Sequence, residues 1–132
     1  MNSSPAPADE KPDLPLLLQT IAMPADTNPA GDIFGGWLLS QMDLAGAVAA
    51  RARVGGRLAT IAVESMKFHR PVLVGDLVAS HGAVARVGRT SISVRVEIWV
   101  HRAEHPAPLK VTEGIYTYVA IDADRRPRVI GG

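Results

Sequence analysis

The 132-residue sequence has no cysteine, so neither a disulfide framework nor a thiolate metal site is open to it. It has little net charge. Fourteen basic side chains against 13 acidic ones leave +1, which gives no electrostatic case for nucleic acid or a membrane surface as partner. No stretch reaches the roughly 18 apolar residues that a membrane span needs. Residues 1–12 hold three prolines and no apolar run, the composition of a disordered leader and not of a secretory signal. These absences together predict a cytoplasmic protein. Catalytic signatures are missing too: there is no Gly-x-Ser-x-Gly elbow for a serine hydrolase and no Gly-x-x-x-x-Gly-Lys phosphate loop. No histidine precedes His69, and His69, His81, His101 and His105 lack metal-ligand spacing.

Apolar residues make up 47% of the chain, and its length suits one domain, placed at residues 13–130, that buries about two-thirds of its unfolded surface. The central element is a helix predicted to start at Gly35 or Gly36 and to end at Gly55-Gly56, with Arg51 and Arg53 complementing the dipole at its C-terminus. From Trp37 to Ala52 its only polar side chains are Ser40, Gln41, Asp43 and Arg51. A helix without a broad polar face is expected to be buried on most sides. Before it, residues 14–22 read as a short strand, with Pro15 confining it to an edge or a strand start, and residues 24–31 cluster turn formers.

The second half is β-rich. Residues 58–69, 77–86, 90–102 and 111–121 read as strands, the third most clearly. In it Ile92, Val94, Val96, Ile98 and Val100 alternate with Ser91, Ser93, Arg95, Glu97, Trp99 and His101, the period of a half-buried strand. One strand, one helix and four strands in hairpin-like succession predict an α+β architecture, an antiparallel sheet curled round a central helix.

The chemistry-bearing residues concentrate at the helix. Asp43, between Met42 and Leu44, would be a buried carboxylate, and burial makes a carboxylate a better base. The bland alternative is a helix carboxylate satisfied by Ser40 or an arginine. Backbone N–H groups at the helix N-terminus can stabilise a developing oxyanion, and Gly35 and Gly36 would let a substrate approach them closely. Equally, the glycine pair could serve to pack the helix against a strand. Asn28 in its Pro-Gly loop suits a turn former. Trp37 and Phe68 read as core. Arg125, Arg126 and Arg128 form a basic tail that is solvated or meets nucleotide phosphates.

The run from Met23 to Trp37, Met-Pro-Ala-Asp-Thr-Asn-Pro-Ala-Gly-Asp-Ile-Phe-Gly-Gly-Trp, followed by Ser40-Gln41-Met42-Asp43, resembles the hot-dog-fold acyl-CoA thioesterases of the YciA type. Phe68-His69-Arg70-Pro71, Val74-Gly75-Asp76 and Val87-Gly88-Arg89-Thr90-Ser91 fall in that family's order, and the likeness spans residues 14–130. The resemblance implies hydrolysis of acyl-CoA to a free acid and coenzyme A without metal or prosthetic group. It implies Asp43 as general base or nucleophile, Asn28 orienting water or polarising the carbonyl, and Gly36 at the oxyanion. It places Gly35, Phe68, Arg70, Gly88, Arg89, Thr90 and Ser91 against the substrate or its coenzyme A. It also implies homodimers as the minimum active unit, assembled into rings such as trimers of dimers. Two alternatives stand beside it. A non-catalytic acyl-CoA-binding regulator would carry a DNA-binding segment, and nothing here is basic enough. A hot-dog dehydratase would pair an aspartate with a histidine in the loop and helix. One spacing bears on assembly: Gly36 and Asp43 are seven residues apart, about 10 Å along a helix, so one chain cannot bring both to one reacting carbon. Two helices antiparallel about a two-fold axis could.

Overall fold

The computed structural model describes residues 11–131. Residues 1–10, most of the expected leader, lie outside the described part. Strand β1 (Leu16–Ile21) leads through a single 3-10 turn, Pro24–Asp26, into helix α1 (Gly35–Val54), and strands β2 (Arg57–Phe68), β3 (Leu77–Val87), β4 (Ser91–His101) and β5 (Leu109–Ile121) follow. Among the described residues no helix is long and apolar enough to cross a membrane. The helix stops where the sequence indicates. Gly55 and Gly56 take φ of 69° and 71°, a region only glycine enters without cost, and the Gly55 N–H bonds the Arg51 carbonyl at 2.8 Å.

The strands form one antiparallel sheet in the order β1-β3-β4-β5-β2, with α1 packed on one face. Leu38, Met42, Ala45 and Ala50 of the helix meet Val78, the alternating Ile92, Val94, Val96, Ile98 and Val100 of β4, and Tyr116 and Tyr118 of β5. The hairpin-like succession holds only for β3, β4 and β5. β2 lies instead at the far edge, beside β5, so residues 69–76 must cross the end of the sheet. The crossing is tied down. Asp76, 2% exposed, accepts from Arg102 through both oxygens, Nε to Oδ1 at 3.0 Å and Nη2 to Oδ2 at 2.8 Å, and from the Leu73 N–H at 2.9 Å. Gly75, at φ 93°, bonds the Ala22 carbonyl.

The other face of β4 is less open than the alternation suggests. Trp99 is buried there and donates its indole N–H to Glu97, which shares Arg95 and Lys110 with Glu113. The helix, by contrast, is less enclosed than expected: Leu44 and Val48 are about half exposed, 57% and 48%. They lie beside the free edge of β2, where Ile61 and Val63 also face solvent. That edge is irregular. Its pairing shifts twice, between Thr60 and Ala62 and between Glu64 and Lys67, and Ser65 sits at φ 57° within the second shift.

Candidate active site

Asn28 is held by its own loop. Its Oδ1 accepts the N–H groups of Ala30 at 3.0 Å and Asp32 at 3.1 Å, and its backbone N–H bonds the Asp32 carbonyl. This is the turn-forming role that asparagine commonly plays. It also identifies the oxygen, because two N–H donors converge on it, and leaves Nδ2 as a donor with no acceptor among the described residues. The loop then hands the chain to α1. Ile33 N–H bonds the Val72 carbonyl and Phe34 N–H the Asp26 carbonyl, so the crossing segment and the helix start are stitched together.

No side chain caps α1 at Phe34, so the first N–H groups of the helix stay free for another acceptor. The glycines there are not explained by packing. A Cβ at Gly35 or Gly36 would meet nothing within 4 Å, and neither residue has a positive φ. Helix-to-strand packing is thereby set aside as their reason. Gly35 shares a cavity of about 390 Å³ with Asn28, Phe68 and Arg70. Phe68 is 54% exposed on its wall and not in the core, whereas Trp37 does pack against the core. Arg70 is anchored through Nη1 to the Lys110 carbonyl at 2.6 Å.

Asp43 lies elsewhere. It is partly exposed, and Thr60 donates to its Oδ1 at 2.8 Å, so the expected buried carboxylate without a local partner is instead an accessible one oriented from β2. It lines a cleft of about 790 Å³ between α1 and β2 and a smaller apolar one of about 310 Å³ with Leu39, Val63, Met66 and Tyr116. Beneath it the two tyrosines of β5 fix the helix: Tyr116 donates to the Leu39 carbonyl at 2.7 Å and Tyr118 to that of Asp43 at 2.8 Å. Burial, then the Asp43 charge, pushes the Tyr116 phenol up to about 12, and the same causes push Tyr118 upward as well. Both stay protonated donors at neutral pH. The helix thus offers free amides in one cavity and a carboxylate in another.

A catalogued family model, described as thioesterase superfamily, matches residues 30–103, from the loop through most of the sheet. The chain belongs to the thioesterase superfamily. It is 50% identical over 123 residues to the acyl-CoA thioester hydrolase YciA of Salmonella typhimurium, covering 91% of this chain and 92% of that one. Among solved structures it is similar to the hexameric thioesterase y2039 from Yersinia pestis, at TM-score 0.88 and 43% identity over 92% of this chain and 99% of that one. It is also similar to a hexameric broad-specificity acyl-coenzyme A thioesterase, at TM-score 0.86 and 47% identity over 93% and 85%. The fold expected from the resemblance, an antiparallel sheet around one long helix, is the hot-dog fold of these thioesterases.

Within this thioesterase-superfamily chain the remaining candidates stand apart from the cavities already described. Gly88, Arg89, Thr90 and Ser91 form the tight turn between β3 and β4, closed by Gly88 N–H to the Ser91 carbonyl at 2.7 Å. A Cβ at Gly88 would press on the Ser91 hydroxyl, so this glycine has a local reason. The Thr90 and Arg89 carbonyls accept from Ala120 and Ile130, leaving the exposed Arg89 side chain beside the C-terminal segment. Thr60, Tyr116 and Tyr118 were not singled out in the sequence. The tyrosines had a signal in their spacing of two on a β-rich run, which puts both on one face. Thr60 had none.

Proposed function

We propose that the protein is an acyl-CoA thioester hydrolase, converting an acyl-CoA and water to a free acid and coenzyme A with no metal or prosthetic group. The observation that carries this is the pairing of an uncapped helix N-terminus, kept open by Gly35 and Gly36, with the free Nδ2 of Asn28 beside it. Such donors suit a thioester carbonyl oxygen as it gains negative charge. The high identity to named acyl-CoA thioester hydrolases supports the same substrate class.

The carboxylate comes from a second copy of the chain. Within one chain Asn28 and Asp43 line different cavities, and the helix rise holds Gly36 about 10 Å from Asp43. The exposed Leu44 and Val48 beside Asp43, and the apolar edge of β2, supply an apolar surface for a two-fold partner. In that dimer Asp43 of one copy faces the Asn28 loop of the other. It draws a proton from water, whose oxygen adds to the carbonyl carbon, or attacks that carbon itself, in which case loss of the thiolate leaves a mixed anhydride on Asp43 that water hydrolyses to the free acid and the carboxylate. The C–S bond then breaks, and the thiolate leaves and takes up a proton. Phe68 and Arg70 line the approach, and the Gly88–Ser91 turn serves the coenzyme A of a neighbouring site. Three such dimers per hexamer would match the hexameric relatives.

The test is thiol release from a panel of acyl-CoAs by wild type and Asp43→Asn. Turnover in wild type and a loss of at least a thousandfold in the folded variant are expected. Tight acyl-CoA binding without turnover would instead make the protein an acyl-CoA-binding regulator.

A further inference from the structure

Strand β2 changes step at one point. Val63 is paired with Tyr116 and Phe68 with Thr112, both on the helix side of the sheet. Between the pairs Glu64–Ile115 and Lys67–Glu113, two residues of β2, Ser65 and Met66, stand opposite a single residue of β5, Gly114. This is a β-bulge, and Ser65 within it takes the left-handed φ of 57°. Strict alternation from Val63 would send residues 65 and 67 toward the helix. The extra residue sends Met66 there instead, where it packs against the core. A left-handed serine is costly, and what the bulge gains by it is the aim of Met66.

Gly114 adds an independent sign. Its φ is not left-handed, so backbone freedom does not explain it. The Cβ it lacks would fall on the Met66 sulfur, and the three heavy atoms nearest that point all belong to Met66. Met66 therefore lies back into space left by a missing side chain. It also lines the cavity of about 310 Å³ beside Asp43. On β2 that lining runs from Thr60, which bonds Asp43, through Val63 to Met66, so the methionine closes the end away from the carboxylate. The other polar atoms of the wall are spent within the chain: Ser40 donates to the Trp37 carbonyl, Thr60 to Asp43 and Tyr116 to the Leu39 carbonyl. Beyond Asp43 the cavity thus offers an apolar surface. Tyr116 is held by its hydrogen bond and Val63 by its β-branch, which leaves the unbranched thioether of Met66 as the wall that can move.

We infer that Met66 is the end stop that sets how long an alkyl chain the protein accepts, with Gly114 opposite giving it the room to lie back. This rests on the acyl-CoA reading above and adds to it which residue measures the acyl group. Since an apolar cavity of about 150 Å³ takes benzene, about 310 Å³ takes roughly a dozen carbons at most, a short or medium straight chain and not a long one.

The experiment measures kcat/KM on straight-chain acyl-CoAs from butyryl to palmitoyl for wild type, Met66→Ala, Gly114→Ala and the double variant. The readout is a ratio within each protein, kcat/KM on a longer chain over that on butyryl-CoA, which cancels a general loss of activity or of folded protein. Met66→Ala removes the side chain beyond Cβ, so the longest chain cleaved well should grow by about two to four carbons. At the first chain length above the wild-type limit the ratio should rise about tenfold or more, the usual worth of a methylene in an apolar pocket. Gly114→Ala pushes Met66 forward, and at the wild-type limit the ratio should fall about tenfold. In the Met66→Ala background Gly114→Ala should change the ratio by less than about threefold, because the side chain it would push is gone. An unmoved profile in Met66→Ala, or an equal effect of Gly114→Ala with and without Met66, would overturn the inference. If Gly114→Ala does not fold, the Met66→Ala profile decides alone. Should wild type cleave no acyl-CoA, the hydrolase reading falls, and calorimetric titration with straight-chain fatty acids tests the end stop by itself. A longer maximum chain bound by Met66→Ala then supports it, and the same maximum, or no binding at any length, refutes it.

Discussion

The phenol of Tyr118 reaches the main-chain carbonyl of Asp43 at 2.8 Å because residue 46, one turn further along the same helix, has no side chain. A Cβ at Gly46 would collide with that hydroxyl oxygen, so the close approach of β5 to α1 depends on this glycine. Gly46→Ala should therefore lower stability by about 1–3 kcal/mol, as overpacking does, despite alanine's better helix propensity. Urea unfolding would measure it. Adding Tyr118→Phe, which removes the colliding oxygen, should recover part of the loss, and a strictly additive double variant would refute the collision.

Gly36 makes the opposite demand. Since a Cβ there meets nothing in the chain, Gly36→Ala should leave stability unchanged or raise it by up to about 1 kcal/mol. Turnover should nonetheless fall about a hundredfold, because a methyl group at the free amides displaces the carbonyl from its donors. Thermal melting and kcat on one sample separate the two effects, and full activity would remove Gly36 from the site.

The shared site predicts complementation. Asn28→Ala and Asp43→Ala should each be inactive alone, but a mixed dimer of the two keeps one intact site of two and should regain up to about half of wild-type activity. Subunit exchange is checked by mass or by fluorescence transfer. A mixture that exchanges and stays inactive would exclude a site built from both copies.

Glu113 sets an acid limit. Burial favours its neutral form, yet hydrogen bonds from Lys110 and His69, with the charges of Lys110 and Arg95, hold its pKa down at about 2 against an ordinary 4.5. A depressed folded-state pKa means stability that is fully present above about 4.5 and lost as pH falls toward about 2. Wild type should thus lose stability across that window. Glu113→Gln should be less stable at neutral pH and flatter below 4.5. Parallel acid profiles for the two proteins would show that Glu113 is not the titrating group.

Arg102→Ala should cost about 3–5 kcal/mol, because it leaves the Asp76 carboxylate buried without its ion pair. Asp76→Asn/Arg102→Ala should cost less than Arg102→Ala alone, and chemical denaturation compares the two.

Much of this was legible in the sequence, for identifiable reasons. Gly55-Gly56 marks the helix end because two consecutive left-handed residues are affordable only to glycine, and the β4 alternation shows its helix-facing side because the period of two is strict. The place of β2 was not legible. It depends on which distant strand pairs with it, and residues 69–76 carry turn formers that suit a hairpin as well as a crossing. The half-exposed state of Leu44 and Val48 was hidden for a related reason: an apolar helix face looks the same in sequence whether its own sheet covers it or another chain does. Thr60 as the partner of Asp43, and Asp76 as the partner of Arg102, lie 17 and 26 residues away, where no local rule reaches.

The two pairing shifts and the left-handed Ser65 along β2 have a bearing on what this chain can become when crowded. A flat edge strand offers its N–H and C=O groups in even step to any extended segment, and growth on it has no natural end. β2 offers them out of step, twisted at each bulge, so a straight foreign strand can match only a few at a time. A second β2 carries the same irregularities and, turned about a two-fold axis, can answer them kink for kink. The edge therefore works against the stacking that begins a fibril, and in the two-fold dimer proposed above it would close with its own kind.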